Sequence, residues 1–307
     1  MSDKKQNQKS KPNVPAYKLL DSGEGRKLEQ VGPIKINRQA SLALWPTGLS
    51  DKQWSQADAF HHRSDKGGGF WGYGPTGQAK TSKFAEEWQT QVGPFVLNTK
   101  LTSFGHLGFF AEQLDQWNWF IETIPKINNT LGRPAKILNL FGYTGCSSLA
   151  LAQGGAEVTH IDAAKGIVDW GKENQKLNPQ VPQDSIRWIV EDCQAFVEKE
   201  IRRGNTYDGV VLDPPSYGRG TKKNQVFKIE ESLTPLLAKI SEVMNPEIHL
   251  IHFSCHTPGF TGKILENLTR HAFNVEGLNF QSEEMVIDCE NKSKSLPSGI
   301  CLKATRQ

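Results

Sequence analysis

The sequence lacks a long apolar run that is free of polar residues. Its longest stretch without a charged residue, from Ile137 to Ala156, contains Asn, Gly, Ser and Gln residues, so it is too polar to span a bilayer. The N-terminus begins with Lys and Gln residues rather than an apolar segment, and we therefore expect no signal peptide. These absences exclude a membrane protein and predict a cytoplasmic one.

Cysteine is scarce, and its spacing excludes two further classes of protein. The five residues Cys146, Cys193, Cys255, Cys289 and Cys301 include no C-x-x-C pair. A zinc ribbon or a disulfide framework is therefore not expected, and we predict free thiols and no metal site.

A large excess of charge of one sign is also missing. The sequence has 36 Lys and Arg residues against 33 Asp and Glu residues, and four lysines and one aspartate before residue 13 supply the whole net charge of +3. Global charge therefore gives little support for nucleic-acid binding. Residues 1–12 have no apolar side chain after the initiator and are predicted to form a disordered basic tail.

What the sequence does contain, from residue 111 onward, is an alternation of strands and helices. The predicted strands are KILNLF (136–141), AEVTHID (156–162), IRWIV (186–190), YDGVVLD (207–213) and EIHLIHF (247–253), with FNVEGLNF (273–280) and SGICLKA (298–304) as added edge strands. The predicted helices lie near 145–153, 165–177, 193–203 and 230–243, after a first helix that begins near Leu114. This alternation indicates an α/β fold with a mostly parallel sheet and helices on both faces over residues 111–307.

Residues 13–110 are predicted to form a smaller, strand-rich accessory region. Short runs in YKLLDSGEGRKLEQVGPIKINR are separated by Gly-Glu-Gly and Gly-Pro, which is typical of an antiparallel meander. His61, His62 and Arg63 have no partner ligands in the sequence that would indicate a metal site, so we expect them at the surface or in packing.

Glycine and acidic residues follow four successive predicted strands. Gly142 to Gly145 follow the first strand, Asp162 follows the second, Asp192 and Cys193 follow the third, and Asp213 follows the fourth. Ligands of an open parallel sheet bind beyond the carboxyl ends of its strands. The glycine turn can offer N–H groups to a carboxylate or phosphate, and the acidic residues can bind a ribose and an adenine amino group.

A dinucleotide oxidoreductase is the nearest rival interpretation, because Asp162 would also suit the ribose of NAD. A pyrophosphate requires the third glycine of G-x-G-x-x-G, whereas GYTGCSS has Ser148 at that position. The first loop therefore favours a smaller anionic group.

The motifs LNLFGYTG, VEDC, LDPPSYGRG, HFSCHT and LPSGICLKA together resemble those of class I S-adenosylmethionine-dependent methyltransferases. The branch they resemble contains the large-subunit ribosomal RNA cytosine-C5 methyltransferases, and YKLLDSGEGRKLEQVG and HLGFFAEQ extend the resemblance over most of residues 17–305. The resemblance implies a Rossmann-like domain, S-adenosylmethionine as cofactor and RNA as substrate. Those RNA enzymes carry an N-terminal PUA module, and we expect none here, since too few residues precede Tyr17.

The resemblance also assigns roles to the residues after the strands. It implies that Gly142, Tyr143, Thr144 and Gly145 hold the methionine end of the cofactor, that Asp162 with Ala163 holds the ribose, and that Asp192 with Cys193 holds the adenine. Asp213 would anchor the target base or the cofactor. Its alternative role is to cap the strand.

The choice of methyl acceptor decides which residues are catalytic. Carbon C5 of cytosine is not nucleophilic, so a thiolate must first add to C6. Cys255, which follows the fifth predicted strand, is the candidate nucleophile, and its alternative role is that of a small packing residue. The two-cysteine RNA enzymes have a further cysteine directly after the double proline, whereas this sequence has Ser216 there, so a two-thiol mechanism is not expected.

Four residues after the double proline are candidates for substrate binding. Tyr217 could stack on a base, while Arg219, Lys222 and Lys223 could contact phosphates, although such a loop is also typical of a solvated surface. Methylation of a nitrogen in a nucleobase or a protein side chain stays open as an alternative, as does a non-catalytic RNA-binding protein on the same fold. The sequence indicates no oligomeric state.

Overall fold

The structure, a computed structural model, describes residues 14–64, 68–74, 87–219, 226–292 and 294–306. The basic tail predicted for residues 1–12 lies outside the described residues, as do Lys222 and Lys223.

The N-terminal part of the chain forms a five-stranded sheet with strand order β1-β2-β3-β4-β5. Its elements are β1 (Lys18–Gly23), β2 (Arg26–Val31), β3 (Ile34–Gln39), the short helix α1 (Asp51–Trp54), β4 (Ala59–Arg63) and β5 (Gly69–Tyr73). The first three strands form the antiparallel meander that the Gly-Glu-Gly and Gly-Pro turns predicted, and β4 then joins β3 in parallel. Gly25 has φ of 74° at the first turn, a conformation that favours glycine.

A hairpin of β6 (Glu87–Val92) and β7 (Phe95–Lys100) follows. The amides of Val96 and Asn98 donate to the side-chain oxygens of Asn178 and Asn174, at 3.0 and 2.9 Å. These bonds attach the hairpin to the second half of the chain.

The second half of the chain alternates strands and helices. In order, the elements are α2 (Leu114–Leu131), β8 (Lys136–Leu140), α3 (Cys146–Gln153), β9 (Glu157–Asp162), α4 (Lys165–Leu177), β10 (Ile186–Val190), α5 (Cys193–Arg203), β11 (Gly209–Leu212), β12 (Tyr217–Arg219), β13 (Val226–Lys228), α6 (Ile229–Ser241), β14 (Leu250–Cys255), α7 (Gly262–Ala272), β15 (Leu278–Asp288) and β16 (Ser295–Arg306). Among the described helices, none has the length and apolar character that crossing a bilayer requires.

Seven of these strands form one central sheet with the order β10-β9-β8-β11-β14-β16-β15. Its first five strands are parallel, and β16 and β15 add antiparallel pairings. The predicted α/β fold with a mostly parallel sheet is confirmed. The strand order reverses between β8 and β11, and such a reversal opens a crevice at the carboxyl ends of the strands.

The strand pairing in the central sheet corrects the bounds or the positions of three predicted strands near the end of the chain. The fifth predicted strand, 247–253, runs instead over Leu250–Cys255, because the pairing of β14 with β16 continues as far as Cys255 and Ile300. The segment 298–304 is not an edge strand, since it belongs to β16 between β14 and β15. The edge strand is β15, which begins only at Leu278 because Gly277 turns the chain with φ of 76°.

One hydrophobic cluster connects the N-terminal sheet with the central sheet. Ile36 of β3 and Phe95 of β7 are fully buried in the same cluster as Trp117, Phe120 and Ile124 of α2. The last three residues recur at helical spacing and bury one face of α2. The N-terminal sheet is therefore packed against the body of the protein beside the crevice.

Candidate functional site

A cavity of about 470 Å³ lies beyond the carboxyl ends of the parallel strands, where the strand order reverses. Six residues predicted from the sequence line it together: Tyr143, Asp162, Ala163, Asp192, Cys193 and Asp213. The structure therefore brings the residues after four separate strands into one cavity, because parallel strands end at the same edge of a sheet.

The turn between β8 and α3 forms one wall of the cavity and has an unusual backbone. Phe141 and Tyr143 have φ of 59° and 51°, and Gly145 has φ of 85°. Non-glycine residues with positive φ are strained and cluster at functional sites. A Cβ at Gly142 would lie 2.3 Å from the ring of His160, so only glycine fits there.

The backbone donors of this turn differ from the prediction. Gly142 donates to the Ile161 carbonyl, Tyr143 donates to Asp162 and Gly145 donates to the Gly142 carbonyl, so these three N–H groups are not open to a ligand. The open donors belong to the first turn of α3, because Gly145 is its N-cap and has no side chain to bind them. Thr144 is buried and donates its hydroxyl hydrogen to the Gly108 carbonyl.

Asp162 is held in place by two backbone donors. Its Oδ2 accepts from Tyr143 N at 3.0 Å, and its Oδ1 accepts from Ala164 N at 2.9 Å. Burial raises the pKa of this carboxyl, and the two backbone donors oppose that rise. Each carboxylate oxygen keeps acceptor capacity for a further donor, so the side chain fits the paired hydroxyls of a ribose.

Asp192 and Cys193 lie at the start of α5. The Oδ1 of Asp192 accepts from Ala195 N at 3.0 Å and caps the helix, while the residue also lines the cavity. Cys193 is buried, and that burial raises the pKa of its thiol. Asp192 therefore has a structural role that is compatible with an acceptor role toward a ligand amino group.

On the opposite side of the cavity, Asp213 is paired with a residue that the sequence analysis did not assign. The Nε2 atom of His256 lies 3.5 Å from Oδ1 of Asp213. Burial raises the pKa of the Asp213 carboxyl. For His256, burial lowers the pKa, but the carboxylates of Asp213 and Glu112 outweigh it and raise the pKa above its usual value.

Two residues from the segment before α2 complete this side of the cavity. Gln113 donates to Ser254 Oγ at 3.2 Å and lies 3.4 Å from Asp213 Oδ2, while Glu112 Oε1 lies 3.8 Å from His256 Nδ1. Both residues belong to the segment HLGFFAEQ (106–113). Their positions in the sequence did not indicate a contact with Asp213 or His256.

Cys255, the predicted nucleophile, was expected beyond a strand that ends at Phe253, but it is the last residue of β14. Its side chain is only 1% exposed, and it lines a neighbouring groove rather than the cavity. Burial raises the pKa of its thiol, which favours the thiol over the reactive thiolate. Its role as a nucleophile stays a prediction.

Two of the predicted substrate residues, Tyr217 and Arg219, lie in the short strand β12. Tyr217 is 57% exposed in β12, beside Gly218, which lines the cavity. Arg219 is the last residue of the same strand. Ser216 Oγ lies 2.7 Å from Thr257 Oγ1, which ties the loop after Pro215 to the loop after β14.

Taken together, these features define a class of protein. A glycine turn after the first parallel strand and carboxylates after the next three surround one cavity at the reversal point, which is the arrangement of a class I methyltransferase. The chain belongs to the S-adenosylmethionine-dependent methyltransferase family, whose family model matches residues 126–286. S-adenosylmethionine is therefore the cofactor, and the resemblance to class I methyltransferases is confirmed.

Similar proteins include one solved structure that covers nearly the whole chain. The crystal structure of the SAM-dependent methyltransferase from Agrobacterium tumefaciens is 33% identical, with a TM-score of 0.84, over 96% of this chain and 91% of that one. A curated relative, the ribosomal RNA large subunit methyltransferase K/L of Vibrio cholerae, is 27% identical over 51% of this chain and 21% of its own length. The enzyme of the same name from Methylococcus capsulatus is 32% identical over 38% of this chain and 16% of its own length. The matched part of this chain thus spans about a fifth of these curated relatives.

The residues present fit the bound cofactor. Asp162 can bind its ribose hydroxyls and Asp192 its adenine amino group. The first turn of α3, with Cys146 and Ser147, faces a small adjoining pocket that shares Tyr143 and Asp213 with the cavity, and it can bind the carboxylate. When bound, S-adenosylmethionine supplies an electrophilic methyl group on a sulfonium. Among the described residues, no three His, Cys, Asp or Glu side chains are grouped as metal ligands.

Proposed function

We propose that this protein transfers a methyl group from S-adenosylmethionine to RNA, at a nitrogen of a nucleobase. The main observation behind the proposal is the environment of Asp213. Its Oδ1 is buried at the cavity wall and faces His256 Nε2 at 3.5 Å, but it accepts no hydrogen bond in the described structure. A buried carboxylate oxygen of this kind requires a donor, and a base N–H group entering the cavity would provide one.

RNA as the acceptor is supported by the relatives. The relatives from Vibrio cholerae and Methylococcus capsulatus are named as methyltransferases of the ribosomal RNA large subunit. An aromatic ring at the cavity mouth, Tyr217, is exposed and available to stack on a base. These observations favour RNA over a protein side chain, which stays open as an alternative.

Nitrogen as the acceptor atom follows from the groups around Asp213. A base nitrogen that donates its hydrogen to Asp213 has its lone pair oriented by that bond, and it needs no covalent activation before methylation. The nitrogen lone pair would form the new N–C bond with the methyl group that the sulfonium supplies, and the sulfur would keep the electron pair of the S–C bond. Asp213 would accept the proton that the nitrogen releases. Pro214 and Pro215 fix the backbone at this point.

Cytosine C5 remains the alternative reaction, and it depends on Cys255. A thiolate would have to add to C6 of the base, whereas this thiol is buried, has a raised pKa and is not part of the cavity wall. These properties support direct transfer to nitrogen. The comparisons leave the choice of atom to experiment.

The decisive experiment is labelled methyl transfer to total RNA and, separately, to total protein from cells that lack this chain. Nucleoside analysis of the labelled RNA then identifies the modified atom. We expect label in RNA as a nitrogen-methylated nucleoside. Label in protein alone would refute RNA as the acceptor, and 5-methylcytidine would refute nitrogen as the acceptor atom.

A further inference from the structure

A second groove joins the cofactor cavity at His256. It has a volume of about 680 Å³ and lies between the N-terminal sheet and the central sheet. One wall includes Ser41, Leu42 and Arg63, and the other is formed by residues 255–262 and 296–300. His256 lines both the groove and the cavity, so a polymer lying in the groove can place one unit beside Asp213.

The N-terminal wall of this groove bears two cations, Lys27 and Arg63. Lys27 Nζ lies 3.3 Å from Oε1 of the buried Glu29, and Arg38 Nη2 donates to the same oxygen at 2.8 Å. The two cations therefore share one carboxylate. Arg63 adds an exposed cation at the rim. Among the groove residues that bear carboxylates, Glu112 lies at the floor beside His256, and Glu284 is exposed on the other wall.

A row of aromatic rings leads from the solvent to His256. Phe104 is 68% exposed, and its ring lies 6.4 Å from that of His106. The His106 ring lies 5.3 Å from Phe110, whose ring lies 6.0 Å from His256. A Cβ built at Gly68 would lie 3.9 Å from the Phe104 ring, so this ring lies beside Gly68, whose neighbour Gly69 pairs with Arg63.

We propose that this groove binds the single-stranded segment of RNA that flanks the target nucleotide. Arg63 contacts a phosphate of this segment, and Phe104, beside the groove, stacks on a flanking base. The target base leaves the strand at His256 to enter the cofactor cavity. A cation beside an exposed aromatic ring is the combination that single-stranded nucleic acids require. This inference rests on the proposed function and adds the N-terminal sheet to the substrate site.

The test compares two rim variants with two matched controls. Arg63→Glu alters the groove wall, and Phe104→Ala removes the exposed ring beside the groove. The controls Lys126→Glu and Leu44→Ala reverse a charge and shorten an apolar side chain at exposed positions outside both the groove and the row of rings. Methyl transfer is measured against the concentration of an RNA substrate, and S-adenosylmethionine affinity is measured by calorimetry. We expect each rim variant to raise KM for RNA about tenfold without changing cofactor affinity, and the controls to match the wild type.

The salt dependence separates the roles of the two rim residues. Arg63→Glu should make RNA binding less sensitive to salt, because one phosphate contact is lost, while Phe104→Ala should leave that sensitivity unchanged. As a second variant, Ser41→Trp fills the groove and should block transfer to RNA with cofactor affinity intact. If the wild type methylates RNA and all three variants keep its KM, the groove proposal is wrong and the proposed function stands. If the wild type methylates only protein, both proposals are wrong.

Discussion

The imidazole of His256 is held between Asp213 and the backbone of Ser298. Its Nδ1 lies 2.7 Å from the Ser298 carbonyl oxygen, and its Nε2 lies 3.5 Å from Asp213 Oδ1. A carbonyl can only accept a hydrogen bond, so Nδ1 carries a hydrogen and Nε2 is the atom that gains or loses a proton. The protonated ring therefore presents a cation to Asp213 and stabilises the carboxylate that would receive a base N–H group.

Asp213→Asn tests the role of this carboxylate. The amide keeps the size of the side chain but loses the negative charge and the ability to accept a proton. We expect kcat to fall about 100-fold, with S-adenosylmethionine affinity within a few-fold of the wild type by calorimetry. Asp184→Asn, at an exposed position outside the cavity, is the control. Full activity of Asp213→Asn would remove Asp213 from the reaction.

The pH dependence of transfer should report the Asp213–His256 pair. Burial raises the pKa of Asp213, and His256 opposes that rise. Because transfer requires the ionised carboxylate, kcat/KM should fall as the pH falls through the raised pKa of Asp213. His256→Gln removes the opposing cation, so the acid limb of the profile should move to higher pH. A profile that does not move in this variant would contradict the coupling.

The convergence of the acidic residues on one cavity was predictable from the sequence because it depends on one regular feature. Parallel strands end at one edge, so Asp162, Asp192 and Asp213 had to converge once the strands were recognised. His256 and Gln113 were not predictable as members of the site. Gln113 lies in a short turn before α2, 100 residues from Asp213 along the chain, and its contact results from tertiary packing alone.

The position of Cys255 shows how strand pairing decides the environment of a side chain. The predicted strand ended at Phe253, which left Cys255 in a loop beyond it. In the structure β14 pairs with β16 up to Cys255 and Ile300, and β16 comes from the far end of the chain. Because this pairing is long-range, the sequence around residue 255 could not choose between the nucleophile and the packing residue.

Acid should destabilise the buried cluster around Glu29. Although burial raises its pKa, Arg38 and Lys27 lower it from 4.5 to about 2. A depressed carboxyl pKa contributes stability above pH 4.5 that is lost as the pH falls from 4.5 to about 2, here about 3 kcal/mol. Urea unfolding between pH 7 and pH 2 measures this loss.

Glu29→Gln should remove the same contribution at neutral pH. It leaves the cations of Arg38 and Lys27 buried without a carboxylate, which costs about 3–5 kcal/mol of unfolding free energy. The exposed Glu122→Gln on α2 is the control and should stay within about 0.5 kcal/mol of the wild type. If Glu29→Gln matches this control at pH 7, the cluster does not stabilise the fold.

Cys255→Ala distinguishes the two chemical routes. Under direct transfer to nitrogen the buried thiol is only a packing group, so the variant should keep kcat within about threefold while losing about 1 kcal/mol of stability. Under the C5 route the variant should be inactive, and wild-type enzyme should form a covalent adduct with RNA containing 5-fluorocytidine. Gel analysis of that adduct and a turnover assay on the same preparations measure both outcomes.

Cys289→Ala, at a buried thiol outside the cavity and the groove, controls for the loss of packing. An adduct that Cys255→Ala abolishes and Cys289→Ala retains would establish the thiolate and refute direct transfer to nitrogen.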